Sequence, residues 1–306
     1  QSTVYSGLKL MTDKTILVVV DPGAEEHPVV ERAAWLAGKF SAGVELFICD
    51  YDPNIAAGRV STVWIDKPAR EHLLDILRQK LEGLAAPLRE SGLDVTTDVS
   101  WDHPLDEGIV RKIKASSPWL VIKDTHHHNV LKRTILSNTD WHLIRDCPAP
   151  LWLVKPESNA DAPKVYAAVD PTHEHDKPAE LDHAIVAFAA EITNGVGGEL
   201  NILHSYAMPS AVALSEGVSV SELADAVEEQ HREAFTDFVS GYDLPDGRTH
   251  LVQGPAHEVL ESVSETGDVD LIVMGAVSRS GLDRVFLGST AERTLDRLAC
   301  DLLIVK

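Results

Sequence analysis

The sequence predicts an α/β protein of two tandem Rossmann-like domains, each with a five-stranded parallel sheet flanked by helices. First, short apolar runs alternate with amphipathic segments along the chain, as they do where strands alternate with crossover helices. Second, the stretches 14–22 and 164–171 are both apolar runs that end in Asp-Pro. Third, the stretches 149–155 and 301–306 both close on an apolar run followed by lysine. The two halves of the chain are therefore copies of one unit.

The first copy, predicted to span 11–156, begins with a β-rich apolar run. Its first helix is predicted from Pro28 and from apolar residues that recur along one side, and its second from leucines near helical spacing. Later apolar runs are short, as expected for strands covered on both faces. The predicted strands are 15–20, 44–49, 95–101, 120–123 and 151–154. The predicted helices are 28–40, 69–91, 105–114 and 141–145.

The second copy, predicted to span 163–306, repeats the scheme after a polar linker bounded by Pro156 and Pro163. Its predicted strands are 165–169, 200–204, 249–252, 271–274 and 302–305. Its predicted helices are 181–192, 221–239, 257–265 and 291–298. Alternating elements of this kind imply parallel sheets with right-handed crossovers.

The composition limits which binding partners and which cellular location are expected for the protein. With 27 basic and 48 acidic residues the formal net charge is −21, which argues against nucleic acid and anionic membrane surfaces. No apolar run is long enough to cross a bilayer, and no secretory signal with an apolar central region is expected. The three cysteines, Cys49, Cys147 and Cys300, give no disulfide framework or metal motif and are predicted to be buried, inert thiols. A cytoplasmic location is therefore expected.

A candidate phosphate-binding loop follows the fourth strand of the second copy. Gly275 ends the apolar run 271–274, and Gly288-Ser289-Thr290 precedes a helical segment that Ser289 or Thr290 can cap. A glycine-containing loop between a strand and a helix start offers free backbone N–H groups to phosphate. Ligands of parallel sheets bind beyond the carboxyl ends of the strands, where Asp170 and Gly275 are both expected.

The stretch 270–306 resembles the C-terminal signature of the universal stress protein family, in which Gly-x-x-Gly, a spacer and Gly-Ser/Thr surround the phosphates and ribose of ATP. Gly275, Gly288, Ser289 and Thr290 match that pattern, whereas Ser278 stands at the second glycine. The segments 140–155 and 99–104 are similar to the tandem E class of this family. The resemblance implies the adenine nucleotide alpha hydrolase-like fold.

The resemblance also implies a nucleotide site in the second copy. Asp170 takes the place of the first-strand aspartate, and Leu203 that of the adenine contact. Mg²⁺ would be held mainly by phosphates and water. The residues expected to contact ATP are Asp170, Leu203, Gly275, Ser278, Arg279, Gly288, Ser289 and Thr290.

The first copy lacks the glycines of this signature. Asp124, His127 and Ser137 stand opposite Gly275, Ser278 and Gly288, and a carboxylate at the phosphate position repels phosphate. The first copy is therefore predicted not to bind ATP in the family's manner. Since family dimers pack through their last strands, the two copies are expected to pair within one chain through 151–154 and 302–305, and a homodimer stays open.

Other chemistries have weaker support in the sequence. The run His126–His128 could hold a metal, but adjacent residues seldom point to one centre, so polar loop residues are the preferred interpretation. Nothing indicates a nucleophile elbow or a Walker loop, so no catalytic residue is assigned and ATP hydrolysis is expected to be weak or absent.

The favoured function is a cytoplasmic stress-response sensor or regulator that binds ATP. A scaffold that binds proteins and no nucleotide is the main alternative. A weak hydrolase, or a holder of a small apolar or acyl ligand in the first copy, is a further one.

Overall fold

The strands and helices of the first domain alternate as predicted. The computed structural model describes residues 14–59, 68–125, 136–156, 161–172, 179–208, 220–266, 268–276, 295 and 297–306, and the backbone of 127–128 and 133–134. The strands are β1 (Thr15–Val19), β2 (Gly43–Asp50), β3 (Val95–Trp101), β4 (Leu120–Asp124), β5 (His127–His128), β6 (Arg133–Thr134) and β7 (Leu151–Val154). The helices are α1 (Pro28–Phe40), α2 (Pro53–Ala56), α3 (Ala69–Glu90), α4 (Leu105–Ser116) and α5 (Asn138–Asp146).

The second domain repeats this arrangement in its described residues. Its strands are β8 (Lys164–Val169), β9 (Glu199–Tyr206), β10 (Thr249–Gln253), β11 (Leu271–Gly275) and β12 (Asp301–Val305). Its helices are α6 (Ala179–Val196), α7 (Val220–Ser240) and α8 (Ala256–Glu265). The predicted final helix, 291–298, lies largely outside the described residues.

One sheet of ten strands runs through both domains. Its order is β10-β9-β8-β11-β12-β7-β4-β1-β2-β3. Every neighbouring pair is parallel except β12 and β7, which are antiparallel and pair Trp152 with Leu303 at their centre. The predicted fold class is confirmed, and so is the pairing of the two closing strands within the chain. Because each half contributes five strands in the same order, the seam between β7 and β12 relates the halves by an approximate two-fold axis.

Several element boundaries differ from the predictions. Helix α5 starts three residues earlier than predicted, because Ser137 caps it and Asp140 bonds back to the Ser137 N–H at 2.7 Å. Helix α6 is longer at both ends, and β9 continues to Tyr206. The one-turn helix α2 and the hairpin of β5 and β6 are absent from the predictions, since both are too short to show periodicity.

A cluster of buried polar groups joins the domains at this seam. Asp301, only 1% exposed, accepts hydrogen bonds from Trp152 Nε1 at 2.9 Å and from the backbone N–H of Lys155 at 2.7 Å. The Arg32 guanidinium lies 3.9 Å from the same carboxylate. We refer to Asp301, Trp152, Lys155 and Arg32 as the Asp301 cluster. Its carboxylate comes from the second domain and its donors from the first.

Helices α1 and α6 continue the contact on one face of the sheet. The ring of Phe40 lies against Gly195, where an added Cβ would come within 2.2 Å of Phe40 Cζ. Lys14 pairs with Glu191 at 2.5 Å, and its ammonium lies 4.5 Å from the centre of the Trp119 ring. The absence of a side chain at Gly195 therefore allows the two helices to approach closely.

Candidate functional site

The carboxyl ends of β8 and β11 lie side by side in the second domain. From β8 the chain continues to β9 and β10, which lie on one side of β8 in the sheet. Strands β11 and β12 lie on its other side, so the strand order reverses between β8 and β11. Asp170 directly follows β8, and Gly275 is the last residue of β11. Parallel sheets bind ligands in the crevice at such a reversal. The structure thus brings together two of the residues that the sequence singles out.

Asp170 is held by its neighbours at this edge. Its backbone N–H donates to Oδ1 of Asp182 at 3.0 Å, and its own Oδ1 accepts from the Thr172 hydroxyl at 2.9 Å. Asp182 lies in the first turns of α6 and is fully buried. The Asp170 side chain is half-buried, so it remains accessible from the carboxyl edge of the sheet.

Gly275 has a packing role that the signature alone does not reveal. An added Cβ would lie 2.7 Å from Cδ2 of Leu181 and 3.1 Å from Cδ1 of Ile185. Real Cβ atoms do not approach carbon this closely, so a side chain would push α6 away from β11. The glycine therefore brings α6 close to the candidate site as well as ending the strand.

Leu203 lies inside the protein. Its side chain is 2% exposed and packs in the core on one face of the sheet. Strand β9 continues three residues further, so Ser205 and Tyr206 reach the carboxyl edge. A ligand at this edge would meet the end of β9 at these two residues. The adenine contact expected at Leu203 stays a prediction that nothing here tests.

Five predicted contacts lie outside the described residues. They are Ser278, Arg279, Gly288, Ser289 and Thr290. Their roles stay predictions. The edge formed by Asp170 and Gly275 is the part of the candidate site that can be built from the structure.

The first domain uses its equivalent positions for structural contacts. Asp124, in the place of Gly275, is 7% exposed, and its Oδ1 accepts the Val29 N–H at 2.9 Å at the start of α1. Beside it, Lys123 Nζ pairs with Asp140 at 2.8 Å. Ser137, in the place of Gly288, caps α5. A carboxylate therefore already meets the positive end of α1, where an anionic ligand would otherwise bind.

The described histidines make contacts within the protein. His103 stacks on Tyr51 with ring centres 4.5 Å apart, and Nδ1 of His142 is 3.2 Å from Asp106. In the described ranges, no three His, Cys, Asp or Glu side chains are grouped as metal ligands would be. The side chains of His126–His128 lie outside those ranges.

Sequence reasoning missed three buried polar residues that are connected by hydrogen bonds to the peptide preceding Asp170. Besides Asp182, they are His204 on β9 and His231 on α7, with Nε2 of His204 2.8 Å from Nδ1 of His231. Burial lowers the pKa of His204, and hydrogen bonding to the Val169 carbonyl acts in the opposite direction. A signal was present, because His204 lies within the apolar strand Glu199–Tyr206. A histidine buried in a sheet requires a partner for each ring nitrogen.

Comparison with known proteins places the fold in context. The model of the universal stress protein family matches residues 13–155 and 165–306. Universal stress protein E of Escherichia coli K12 is 28% identical over 313 residues, covering 96% of this chain and 94% of its own. The Haemophilus influenzae homolog of that protein is 22% identical, covering 97% of this chain and 98% of its own.

Solved structures agree with the match to this family model. A putative universal stress protein from Pseudomonas aeruginosa UCBPP-PA14 is 28% identical, with a TM-score of 0.74, and the match covers 96% of this chain and 93% of that one. A protein of unknown function from P. aeruginosa PAO1 is 27% identical, with the same TM-score and coverage of 96% and 92%. Separately, within the described part of the chain, no helix is both long and apolar enough to cross a bilayer.

Proposed function

The chain belongs to the universal stress protein family, and on that premise we propose that its second domain binds ATP or a related nucleotide. The observation that carries the proposal is the pairing of Asp170 and Gly275 at the strand-order reversal. In the first domain the corresponding position is occupied by the Asp124 carboxylate, bonded to the start of α1. Binding is therefore proposed for one domain only, with Mg²⁺ held mainly by phosphates and water.

The proposed role is that of a cytoplasmic sensor or regulator in the stress response. Binding would act on the crevice beside α6, without rapid turnover of the nucleotide. The remaining proposed contacts, Ser278, Arg279, Gly288, Ser289 and Thr290, follow β11 in the sequence and lie outside the described residues. In this role the first domain contributes β7 and the donors of the Asp301 cluster, which hold the second domain in place.

A second candidate is a scaffold that binds proteins and no nucleotide. One observation favours it: close packing against Leu181 and Ile185 is sufficient to explain why position 275 is a glycine. Ser278 in the place of a glycine points the same way, since a Cβ restricts the loop. The two candidates differ in whether ATP binds at all.

The test is a titration of the full chain, emptied of small molecules, with ATP and Mg²⁺ by calorimetry. We expect one site per chain, with affinity reduced about tenfold in Asp170→Asn through loss of a charged acceptor. Asp21→Asn, the matching change in the first domain, is the control and leaves affinity unchanged. Ser278→Gly should bind more tightly. A full titration without binding in either wild type or Ser278→Gly would favour the scaffold.

A further inference from the structure

The peptide group between Val169 and Asp170 is held on both sides by buried side chains. Its carbonyl oxygen lies 3.1 Å from Nδ1 of His204, and its N–H donates to Oδ1 of Asp182 at 3.0 Å. His204 is 1% exposed and Asp182 is fully buried. The Cα of Asp170 is bonded to the nitrogen of this peptide. The two contacts therefore set the direction in which the Asp170 carboxylate enters the crevice.

A second histidine extends the chain of hydrogen bonds to α7. The Val169 carbonyl can only accept, so Nδ1 of His204 carries a proton. Nε2 of the neutral His204 ring then accepts from Nδ1–H of His231, 2.8 Å away. We refer to His204 and His231 as the histidine pair. Its geometry connects the position of α7 to the position of the Val169 carbonyl.

Titratable groups after β8, on α6, on β9 and on α7 lie around the histidine pair. Asp170 after β8 and Asp182 on α6 act on His204. Tyr206 on β9 stacks on His231 with ring centres 5.1 Å apart. Glu228 and Arg232, on α7 with His231, act on the Tyr206 hydroxyl.

Acidification acts on this arrangement in a defined direction. Burial keeps the pKa of His204 below that of an exposed imidazole, so the neutral ring stabilises the fold above about pH 6.5 and this contribution is lost as the pH falls below that value. Protonation of His204 puts an N–H on Nε2, which then faces the Nδ1–H of His231 across 2.8 Å. The hydrogen bond between the rings is then broken, so the Nδ1–H bond to the Val169 carbonyl remains while the His204 ring is no longer held by α7.

At the equivalent described positions the first domain lacks this arrangement, which argues against a general requirement of the fold. Val169 pairs with His204 in the second domain, and Val20 is its counterpart in the first. Since Val19 pairs with Phe47, the next residue, Ile48, lies opposite Val20 and occupies the position of His204. The carboxylate of Asp21 instead accepts the N–H of Gly23 at 2.7 Å. The histidine pair is thus present in the domain for which nucleotide binding is proposed.

We propose that His204, His231 and Asp182 are positioning residues for Asp170, and that the histidine pair weakens nucleotide binding as the pH falls. The second part of this inference, the weaker binding at low pH, rests on the proposed function. The first part, the coupling of the pair to Asp170, concerns the protein without ligand.

The first experiment measures the affinity of the full chain for ATP with Mg²⁺ between pH 8 and pH 5.5. His204→Leu removes the donor to Val169 and should bind about tenfold more weakly at pH 8, the effect of one lost hydrogen bond. His204→Asn keeps an amide donor near the place of Nδ1 and should bind nearly as wild type at pH 8. Its affinity should then fall less in acid, because the asparagine cannot take up a proton.

His250→Gln is the matched control. His250 is a half-buried histidine on β10 that bonds to Asn201, away from the Val169 carbonyl. ATP itself gains a proton near pH 6, so each variant is compared with wild type at the same pH. We expect the His250→Gln profile to follow that of wild type. Wild-type affinity in His204→Leu, or an unchanged profile in His204→Asn, would overturn the proposal.

The second experiment needs no nucleotide. The ring nitrogens of His204 and the backbone amide of Asp170 are followed by NMR over the same pH range. Both should titrate with one midpoint, and His204→Leu should abolish the shift of the amide. A titrating ring with a stationary Asp170 amide would refute the coupling. Absence of ATP binding at every pH refutes the proposed function and the pH effect on binding, while the amide titration still decides whether the pair positions Asp170.

Discussion

Asp301→Ala tests how the two domains are held together. The substitution removes a fully formed set of contacts at the β7–β12 seam, namely the bonds from Trp152 Nε1 and from the Lys155 N–H. It also leaves the Arg32 guanidinium, 7% exposed, without the carboxylate 3.9 Å away. Because Asp301 joins donors from the other domain, its loss acts on the seam rather than on either core.

The expected loss of stability follows from these contacts. Each buried donor left without an acceptor costs about 1–3 kcal/mol, and here two donors lose their acceptor. Breaking a buried charge pair from one side costs about 3–5 kcal/mol. These costs describe the same event and do not add. We expect the free energy of unfolding to fall by about 3–5 kcal/mol.

The assay is urea unfolding followed by far-UV circular dichroism and by the fluorescence of the six tryptophans, of which Trp152 lies at the seam. Asp268→Ala is the control, because Asp268 is 75% exposed and pairs with Lys164 at 3.3 Å, an ion pair worth about 0–1 kcal/mol. A loss below about 1 kcal/mol in Asp301→Ala, at an unchanged slope with urea, would refute the argument that the cluster stabilises the seam.

Three further predictions concern single sites. Gly83→Ala should stabilise the protein by about 0.5–1 kcal/mol in urea unfolding, because its new Cβ in helix α3 meets nothing within 4 Å. Gly275→Ala should destabilise it by about 1–3 kcal/mol in the same assay, because the Cβ would lie 2.7 Å from Leu181; a neutral result would mean that α6 yields easily. Burial raises the pKa of Cys147 to about 11 and that of Cys300 to about 12, so both thiols should resist a thiol reagent at pH 8 until urea exposes them. Rapid labelling of the native protein would contradict that burial.

The architecture could be predicted from the sequence because burial leaves a local pattern. Strands covered on both faces appear as short apolar runs, and the predicted strands 15–20 and 271–274 match β1 and β11 to within one residue. Boundaries set by single hydrogen bonds were harder. Helix α5 starts early because Ser137 caps it, and that bond shows no periodicity.

The candidate site was predicted in part. Asp170 and Gly275 could be placed together, since parallel strands bring their carboxyl ends to one edge. Leu203 was placed at the strand end on the expectation that β9 stops near His204, whereas β9 continues to Tyr206. The close packing of Leu181 on Gly275 depends on the length and direction of α6, which local spacing does not determine.

By itself the sequence determined the tandem repeat, the α/β class, the formal net charge of −21 and the loss of the glycine signature in the first copy. Only the tertiary structure decided which polar groups meet across the sheet and the seam. Asp301 reaches Trp152 over 149 positions of sequence, and His204 reaches His231 over 27. Periodicity records which face of an element is buried, because burial repeats with the element. The partner of a buried polar atom depends on how distant elements pack, and no local pattern records it.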